Sequence, residues 1–273
     1  MRMRKKKHLE PRMEACAHWQ EKEPADWKGR WREKLPGAAE VRLELGCGKG
    51  RFTVETARRE PEVLFLAVER VPDALVMAME RARALGLENV VFICDDAALL
   101  SDWFAPGEIS GLYINFCDPW PSKRHAKRRL TSEGFLKSYR DILAPGGKIW
   151  FKTDNRPLFE YSLTQFPRAG YTLDDVTFDL HADDADVVMT DFEAVFHEQG
   201  VKINRCVATL GELPDPAELG EPPREGLLEY WKEGDPIPRG MDRYVEEWRG
   251  RQRAEERRRA KEAGQAGESG ELR

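Results

Sequence analysis

Leu43-Glu44-Leu45-Gly46-Cys47-Gly48-Lys49-Gly50 is the stretch that decides the fold. Up to Leu45 the pattern is that of a buried strand, and from Phe52 a helical pattern begins. Three glycines at every second position lie between them, where they allow a sharp backbone turn and a close approach by a ligand. Further on, Glu69 closes the next apolar run, and Asp95 and Asp96 close the one after it. In a parallel sheet these ends share one edge. Acidic strand ends around a glycine turn describe a nucleoside site at the point where the strand order reverses.

The same alternation extends outward from the turn. Strands are expected at 41–47, 63–69, 89–94, 111–117 and 148–153, with helices at 52–59, 73–85, 133–143 and 158–166. Leu75, Met79 and Ala82 share a helical face, as do Phe135, Leu136, Tyr139, Ile142 and Leu143, which Pro145-Gly146-Gly147 terminates. Two later runs, 171–180 and 201–210, read as a closing antiparallel pair. The expected fold is therefore α/β and Rossmann-like: a doubly wound, mostly parallel, seven-stranded sheet with an antiparallel closing strand. Residues 1–40 read as an irregular lead-in, basic at its start, with a short helix near 26–34; 41–210 form the catalytic-type domain. Residues 211–273 form a charged extension, with a Pro-, Gly- and Glu-rich linker at 211–240 and a charged helix at 241–262.

Composition narrows the class. With 41% hydrophobic and 34% charged residues, a chain of 273 residues buries a sizeable core beneath a very polar surface. Cys16, Cys47, Cys94, Cys117 and Cys206 form no CxxC pair, so neither a disulfide framework nor a metal knuckle is signalled, and no metal is expected. Neither a secretory signal nor an 18-residue apolar run is present, so a cytoplasmic protein without a membrane partner is expected. The net charge is −5, of which the 16 acidic and 12 basic residues after position 210 supply −4. Any nucleic-acid surface must therefore be a local basic patch.

The glycine spacing is G-x-G-x-G, with Glu44 two residues before it, rather than the G-x-G-x-x-G of dinucleotide folds. So many nearby carboxylates disfavour a pyrophosphate, but they favour the ammonium and sulfonium of S-adenosylmethionine. The pattern resembles class I methyltransferases. The fourth strand ends in Asn115-Phe116-Cys117-Asp118-Pro119-Trp120-Pro121, whose prolines rigidify an acceptor and a flat ring. Ser122-Lys123-Arg124-His125-Ala126-Lys127-Arg128-Arg129 follows, and its cations are candidate phosphate contacts. Arg2, Arg4, Lys5, Lys6 and Lys7 either extend that footprint or form a loose basic tail.

Residues 115–131 closely resemble the signature of bacterial tRNA (guanine-N7-)-methyltransferases, and the resemblance spans roughly 38–205. It implies S-adenosylmethionine as methyl donor and tRNA, at its variable loop, as acceptor. Cofactor-binding positions would be Glu44, Gly46, Gly48, Gly50, Glu69, Asp96 and Asp118; substrate-binding positions would be Ser122, Lys123, Asp154, Thr190 and Glu193. Asp118 and Asp154 are the catalytic candidates, and Arg124, Lys127, Arg128 and Arg129 the RNA-contacting ones. Many members carry Lys where this chain has Ser122, so either Lys123 replaces that charge or the charge is dispensable here. The extension after 210 has no counterpart in the family pattern.

Guanine N7 carries a lone pair and no proton, so methylation there needs in-line placement and no general base. The guanine N1–H and N2–H donors match one carboxylate, which would reject adenine. Asp154 is the candidate for that contact, with Thr190 and Glu193 in support; its competing role is to cap the following helix. The other functions to be weighed are a methyltransferase for another RNA, a protein or a small molecule, and a non-catalytic RNA-binding protein of this fold. Monomer and homodimer are left undecided by the sequence.

Overall fold

The computed structural model describes residues 6–183 and 186–270, with the side chains of 260–270 not described. In chain order the elements are α1 (Leu9–Ala15), β1 (Gln20–Glu21), β2 (Glu40–Leu45), α2 (Arg51–Arg59), β3 (Val63–Val68), α3 (Pro72–Leu85) and β4 (Val90–Ile93). There follow α4 (Leu100–Trp103), β5 (Ile109–Asn115), α5 (Glu133–Ile142), β6 (Leu143–Thr153), α6 (Arg156–Arg168) and β7 (Tyr171–Thr177). The last are α7 (Leu180–Asp183), α8 (Asp191–Glu198), β8 (Asn204–Leu210) and α9 (Asp242–Gly270).

All the strands join one sheet in the order β1-β4-β3-β2-β5-β6-β8-β7. β1 to β6 run parallel, and β8 pairs antiparallel with both β6 and β7. The α/β Rossmann-like reading holds, with eight strands rather than seven. The additional strand is the two-residue β1, paired through Gln20 and Glu21 to the edge of β4. So short an edge strand carries too little periodicity to be read from sequence.

β3 is buried at all six positions, as a central parallel strand covered on both faces must be. The order reverses between β2 and β5, which places the carboxyl ends of β2, β3, β4 and β5 around one crevice. The helix α5 ends at Ile142, and Pro145-Gly146-Gly147, read as its stop, falls inside β6 as an irregularity: Ile109 pairs with Leu143, and Gly111 next pairs with Lys148.

The lead-in and the extension both pack onto this body. Two 3-10 turns, Pro24–Trp27 and Trp31–Lys34, occupy the place of the expected short helix. Trp31 is fully buried and donates its indole N–H to the Trp103 carbonyl at 2.9 Å. From the extension, Leu227, Trp231, Met241 and Val245 enter the main core cluster. Leu227 and Trp231 thus lie inside the 211–240 stretch read as a linker, whose apolar residues are too sparse to show a period. Lys6 donates its backbone N–H to Asp73, and Arg2, Arg4 and Lys5 lie outside the described residues.

Candidate active site

β2 runs directly into the glycine turn. Gly46, Gly48 and Gly50 have φ of 77°, 57° and 75°, in the left-handed region that glycine adopts without strain. The N–H groups of Gly46 and Cys47 donate to the Val68 carbonyl at 2.8 and 3.1 Å, pinning the turn to the end of β3. A Cβ placed on Gly46 or Gly48 would meet nothing within 4 Å, so that face of the backbone is open to a ligand. On Gly50 it would lie 2.4 Å from the Ala78 Cβ, so there the turn packs against α3.

Glu69 accepts hydrogen bonds from the Gly48 N–H at 3.0 Å and the Val71 N–H at 2.8 Å, which fixes its carboxylate beside the open glycine. Asp96 accepts from the Ala98 N–H at 3.0 Å, capping a 3-10 turn, and lies 3.3 Å from Arg70 Nη1. Glu44 differs from both. It is 2% exposed and sits beneath the turn, accepting from Asn115 Nδ2 at 2.9 Å and from the Thr53 hydroxyl. Burial raises its carboxyl above the ordinary range, against the lowering by those two bonds and by the charge of Lys152. The Asn115 Oδ1 beside it is buried without a hydrogen-bond partner.

The loop after β5 bears Asp118. It is bracketed by two non-glycine residues in the left-handed region, Phe116 (φ 54°) and Trp120 (φ 43°), conformations that cost about 1–3 kcal/mol each and need surrounding contacts to persist. Asp118 itself is exposed. Asp154 ends β6 half-buried; burial raises its carboxyl above the ordinary range, and the nearby charge of Arg239 pulls it back. The cap of α6 is Asn155, whose Oδ1 accepts from the Leu158 N–H at 2.9 Å, so Asp154 is not the capping residue.

Thr190 and Glu193 form a capping box at the start of α8: the Thr190 hydroxyl accepts from the Glu193 N–H at 3.0 Å, and Glu193 Oε2 accepts from the Thr190 N–H at 3.2 Å. Glu193 is fully buried and takes an ion pair from Lys152 Nζ at 2.7 Å. His181 Nε2 stands 3.2 Å from Glu193 Oε1 without hydrogen-bond geometry. Burial pulls the Lys152 amine below its ordinary range, and Glu193 opposes that shift. Arg81 grips Asp191 through two bonds of 2.8 Å, tying α8 to α3.

The basic run divides. Lys123, Arg124, Lys127 and Arg128 are exposed on a 3-10 turn, Lys123–Arg128, with half-buried Ser122 at its cap position. The Arg128 guanidinium lies 5.0 Å from the Trp120 ring centroid. Arg129, read with this run as an RNA contact, is fully buried instead. It donates to the carbonyls of Pro119 (3.0 Å), Trp120 (2.8 Å) and Glu225 (2.8 Å) and covers the Tyr161 ring at 4.3 Å. The five Lys and Arg residues of this run look alike in sequence, and the inward one is distinguished only by the carbonyls waiting for it. A cleft of about 590 Å³ lies elsewhere, between α5, α6 and Pro222-Pro223, and shares only Lys127 with the candidate residues.

Residues without a sequence-derived role also belong to the site: Thr53 and Asn115 as partners of Glu44, Lys152 as partner of Glu193, and Arg239. The one legible signal was Lys152, a cation in the buried 151–153 end of β6.

Residues 38–206 match a family described as putative methyltransferases. A tRNA (guanine-N(7)-)-methyltransferase of Halalkalibacterium halodurans is 46% identical over 187 residues, 68% of this chain and 85% of that protein. Enzymes of the same name from Lactococcus lactis subsp. cremoris (43% identity; 76% of this chain, 97% of that one) and Streptococcus agalactiae (40%; 76% and 99%) are similar to it as well. Among solved structures, the 16S rRNA methyltransferase KamB superposes with a TM-score of 0.55 at 16% identity, covering 67% of this chain and 94% of that one, a likeness of fold. With the glycine turn, the acidic strand ends and the Asp-Pro-Trp loop assembled on one sheet edge, this chain belongs to the tRNA (guanine-N(7)-)-methyltransferase family.

Proposed function

We propose that this chain methylates N7 of a guanine in the variable loop of tRNA, and that the donor and acceptor occupy the two sides of the crevice between β2 and β5. The observation that carries this reading is the placement of Glu69, Asp96, Asp118 and Asp154 at neighbouring strand ends beside an open glycine turn and an exposed basic turn.

The donor side suits a nucleoside with a cationic amino-acid end. The open faces of Gly46 and Gly48 admit close backbone contact. Glu69, held by the Gly48 and Val71 amides, presents a carboxylate to a ribose diol. Glu44 and the unpartnered Asn115 Oδ1 lie beneath the turn as buried acceptors that favour positive charge above them. When bound there, S-adenosylmethionine supplies a methyl group on a sulfonium.

On the acceptor side, Asp154 accepts the N1–H and N2–H of guanine, which orients N7 and rejects adenine. Methyl transfer from the bound sulfonium to the N7 lone pair would leave a neutral thioether and a cationic purine and would move no proton, so the residues here orient and stabilise charge and none need act as a base. Asp118 places negative charge beside that developing cation. Thr190 and Glu193 act as supports that fix the start of α8, with Glu193 held by Lys152 of β6. Lys123, Arg124, Lys127 and Arg128 contact the RNA backbone.

Incubation with labelled S-adenosylmethionine and unmodified tRNA, followed by nucleoside analysis, is expected to yield labelled 7-methylguanosine. Label in another nucleoside would overturn the guanine-selection account, and label in protein or a small molecule the RNA assignment.

A further inference from the structure

The cleft of about 590 Å³ beside the basic turn has no part in methyl transfer, yet it is built from polar groups that lack partners. Lys127, the start of α5, the Gln165 and Arg168 side of α6, and Pro222-Pro223 line it. The family match ends at residue 206, so the prolines are an addition of this chain. They are fastened on both sides: Arg168 Nη1 donates to the Leu219 carbonyl at 2.8 Å, and Arg129 Nη1 to that of Glu225 at 2.8 Å. Ser132 stands at the cap position of α5, is 6% exposed and lines the cleft, but its hydroxyl makes no capping bond and has no other partner. Gln165 Oε1 accepts from the Glu133 N–H at 3.2 Å, while the next two N–H groups, of Gly134 and Phe135, have no backbone acceptor.

We propose that this cleft is a second RNA site: Ser132, the Gly134 and Phe135 amides and Lys127 hold one backbone phosphate of the bound tRNA, and Phe135 with Pro222-Pro223 flanks the attached nucleoside. This rests on tRNA being the substrate, but not on the roles given to residues at the guanine site. A buried hydroxyl, two open amides of a first helical turn and an exposed ammonium are all donors, the set an oxyanion needs. Two carboxylates share the cleft. Glu133 is neutralised by Lys137 at 2.7 Å and by Arg168 at 3.0 Å, and Glu225 is exposed on the extension. Lys127 belongs both to the cleft and to the basic turn, so one RNA strand can follow the turn into the cleft. A phosphate held there fixes the register of the RNA without reading its sequence.

The test is the affinity for unmodified tRNA and its salt dependence, alongside thermal melting and binding of S-adenosylmethionine, in the full chain. Gly134→Asp is the decisive variant. A Cβ on Gly134 meets nothing within 4 Å, and an acidic residue in the first turn favours a helix, so melting should hold or rise. The same carboxylate repels a phosphate: tRNA affinity should fall about ten-fold, and the slope of log affinity against log salt by about 0.7–0.9. Gly134→Asn, alike in shape but uncharged, should lose much less. Ser132→Ala should lose about three-fold at unchanged melting, because no capping bond is removed. Gly134→Asp combined with Lys127→Ala should be less than additive. KM for tRNA should rise while kcat and S-adenosylmethionine affinity hold. Arg243→Ala, an equal change in net charge on the exposed face of α9, is the control.

Wild-type affinity and slope in Gly134→Asp overturn the cleft as an RNA site. Lower melting with unchanged affinity in Ser132→Ala makes Ser132 a plain helix cap and overturns its part in it. If inorganic phosphate binds the wild type but not Gly134→Asp, while tRNA affinity is the same in both, the cleft takes a free phosphate and the RNA assignment falls. Because the readout is binding, tRNA that is bound but not methylated at guanine N7 overturns the guanine reading and leaves the cleft standing. A wild-type chain that binds no tRNA overturns both.

Discussion

The two sides of the crevice proposed to hold donor and acceptor are built on opposite physical plans. On the proposed donor half, the carboxylates are held mostly by neutral donors: Glu69 by the amides of Gly48 and Val71, Asp96 by that of Ala98, and Glu44 by the Thr53 hydroxyl and the Asn115 side-chain amide. On the proposed acceptor half, the start of α8 is held by a buried ion pair between Lys152 and Glu193, by the Arg81–Asp191 fork, and by Arg239 of the extension over the Phe192 ring. Neutral hydrogen bonds hold the proposed cradle for a small molecule in place. Long-range charge pairs fix elements far apart in the chain, as recognition of a large RNA requires. The price is sensitivity, because a buried charge that loses its partner is left uncompensated.

The largest effect should come from breaking that pair. Lys152→Met strands the Glu193 carboxylate in the core and is expected to lower stability by about 3–5 kcal/mol, whereas Lys152→Met with Glu193→Leu recovers most of it. Chemical denaturation measures both, and a double variant no more stable than the single one would contradict the pairing. Next is the donor turn. Gly50→Ala forces a Cβ to within 2.4 Å of Ala78 at φ 75°, a strain and overpacking worth about 2–3 kcal/mol, with loss of S-adenosylmethionine binding. Unchanged melting and calorimetric affinity would show that the turn is looser than it looks.

The basic run offers a contrast within a few residues. Arg129→Ala removes the hydrogen bonds of a buried guanidinium to three carbonyl groups and should destabilise by about 2 kcal/mol. Lys127→Ala should leave melting untouched but reduce the slope of log affinity for tRNA against log salt by about 0.7–0.9. Equal melting of the two variants would erase the distinction drawn from burial. Smallest in energy is Glu69→Gln, which keeps the shape but loses the charge that accepts the ribose diol. S-adenosylmethionine affinity should fall by about ten-fold, or about 1.4 kcal/mol, without loss of fold. A similar loss in Asp154→Asn would mean that the two halves are not separable.

The contrast also explains what could be read in advance. The glycine turn, the acidic strand ends and the parallel order follow from periodicity and from glycine's φ freedom, both local properties of sequence. The Asp-Pro-Trp loop and its basic turn were legible for the same reason, along with the family pattern they carry. Glu44 was legible as an acidic position but not as a buried one. That Arg129 points inward, that Asn155 caps α6 in place of Asp154, and that Glu193 is a buried support could not be read locally.

By itself, then, the sequence determined the α/β fold, the position of its crevice and the kind of chemistry that crevice suits, because these rest on patterns within single elements. Only the tertiary structure decided which charges face inward, how α8 is held, and that the extension crosses to Phe192. Burial and ion pairing are decided between residues far apart in the chain, such as Lys152 and Glu193 or Phe192 and Arg239, and no local pattern encodes them.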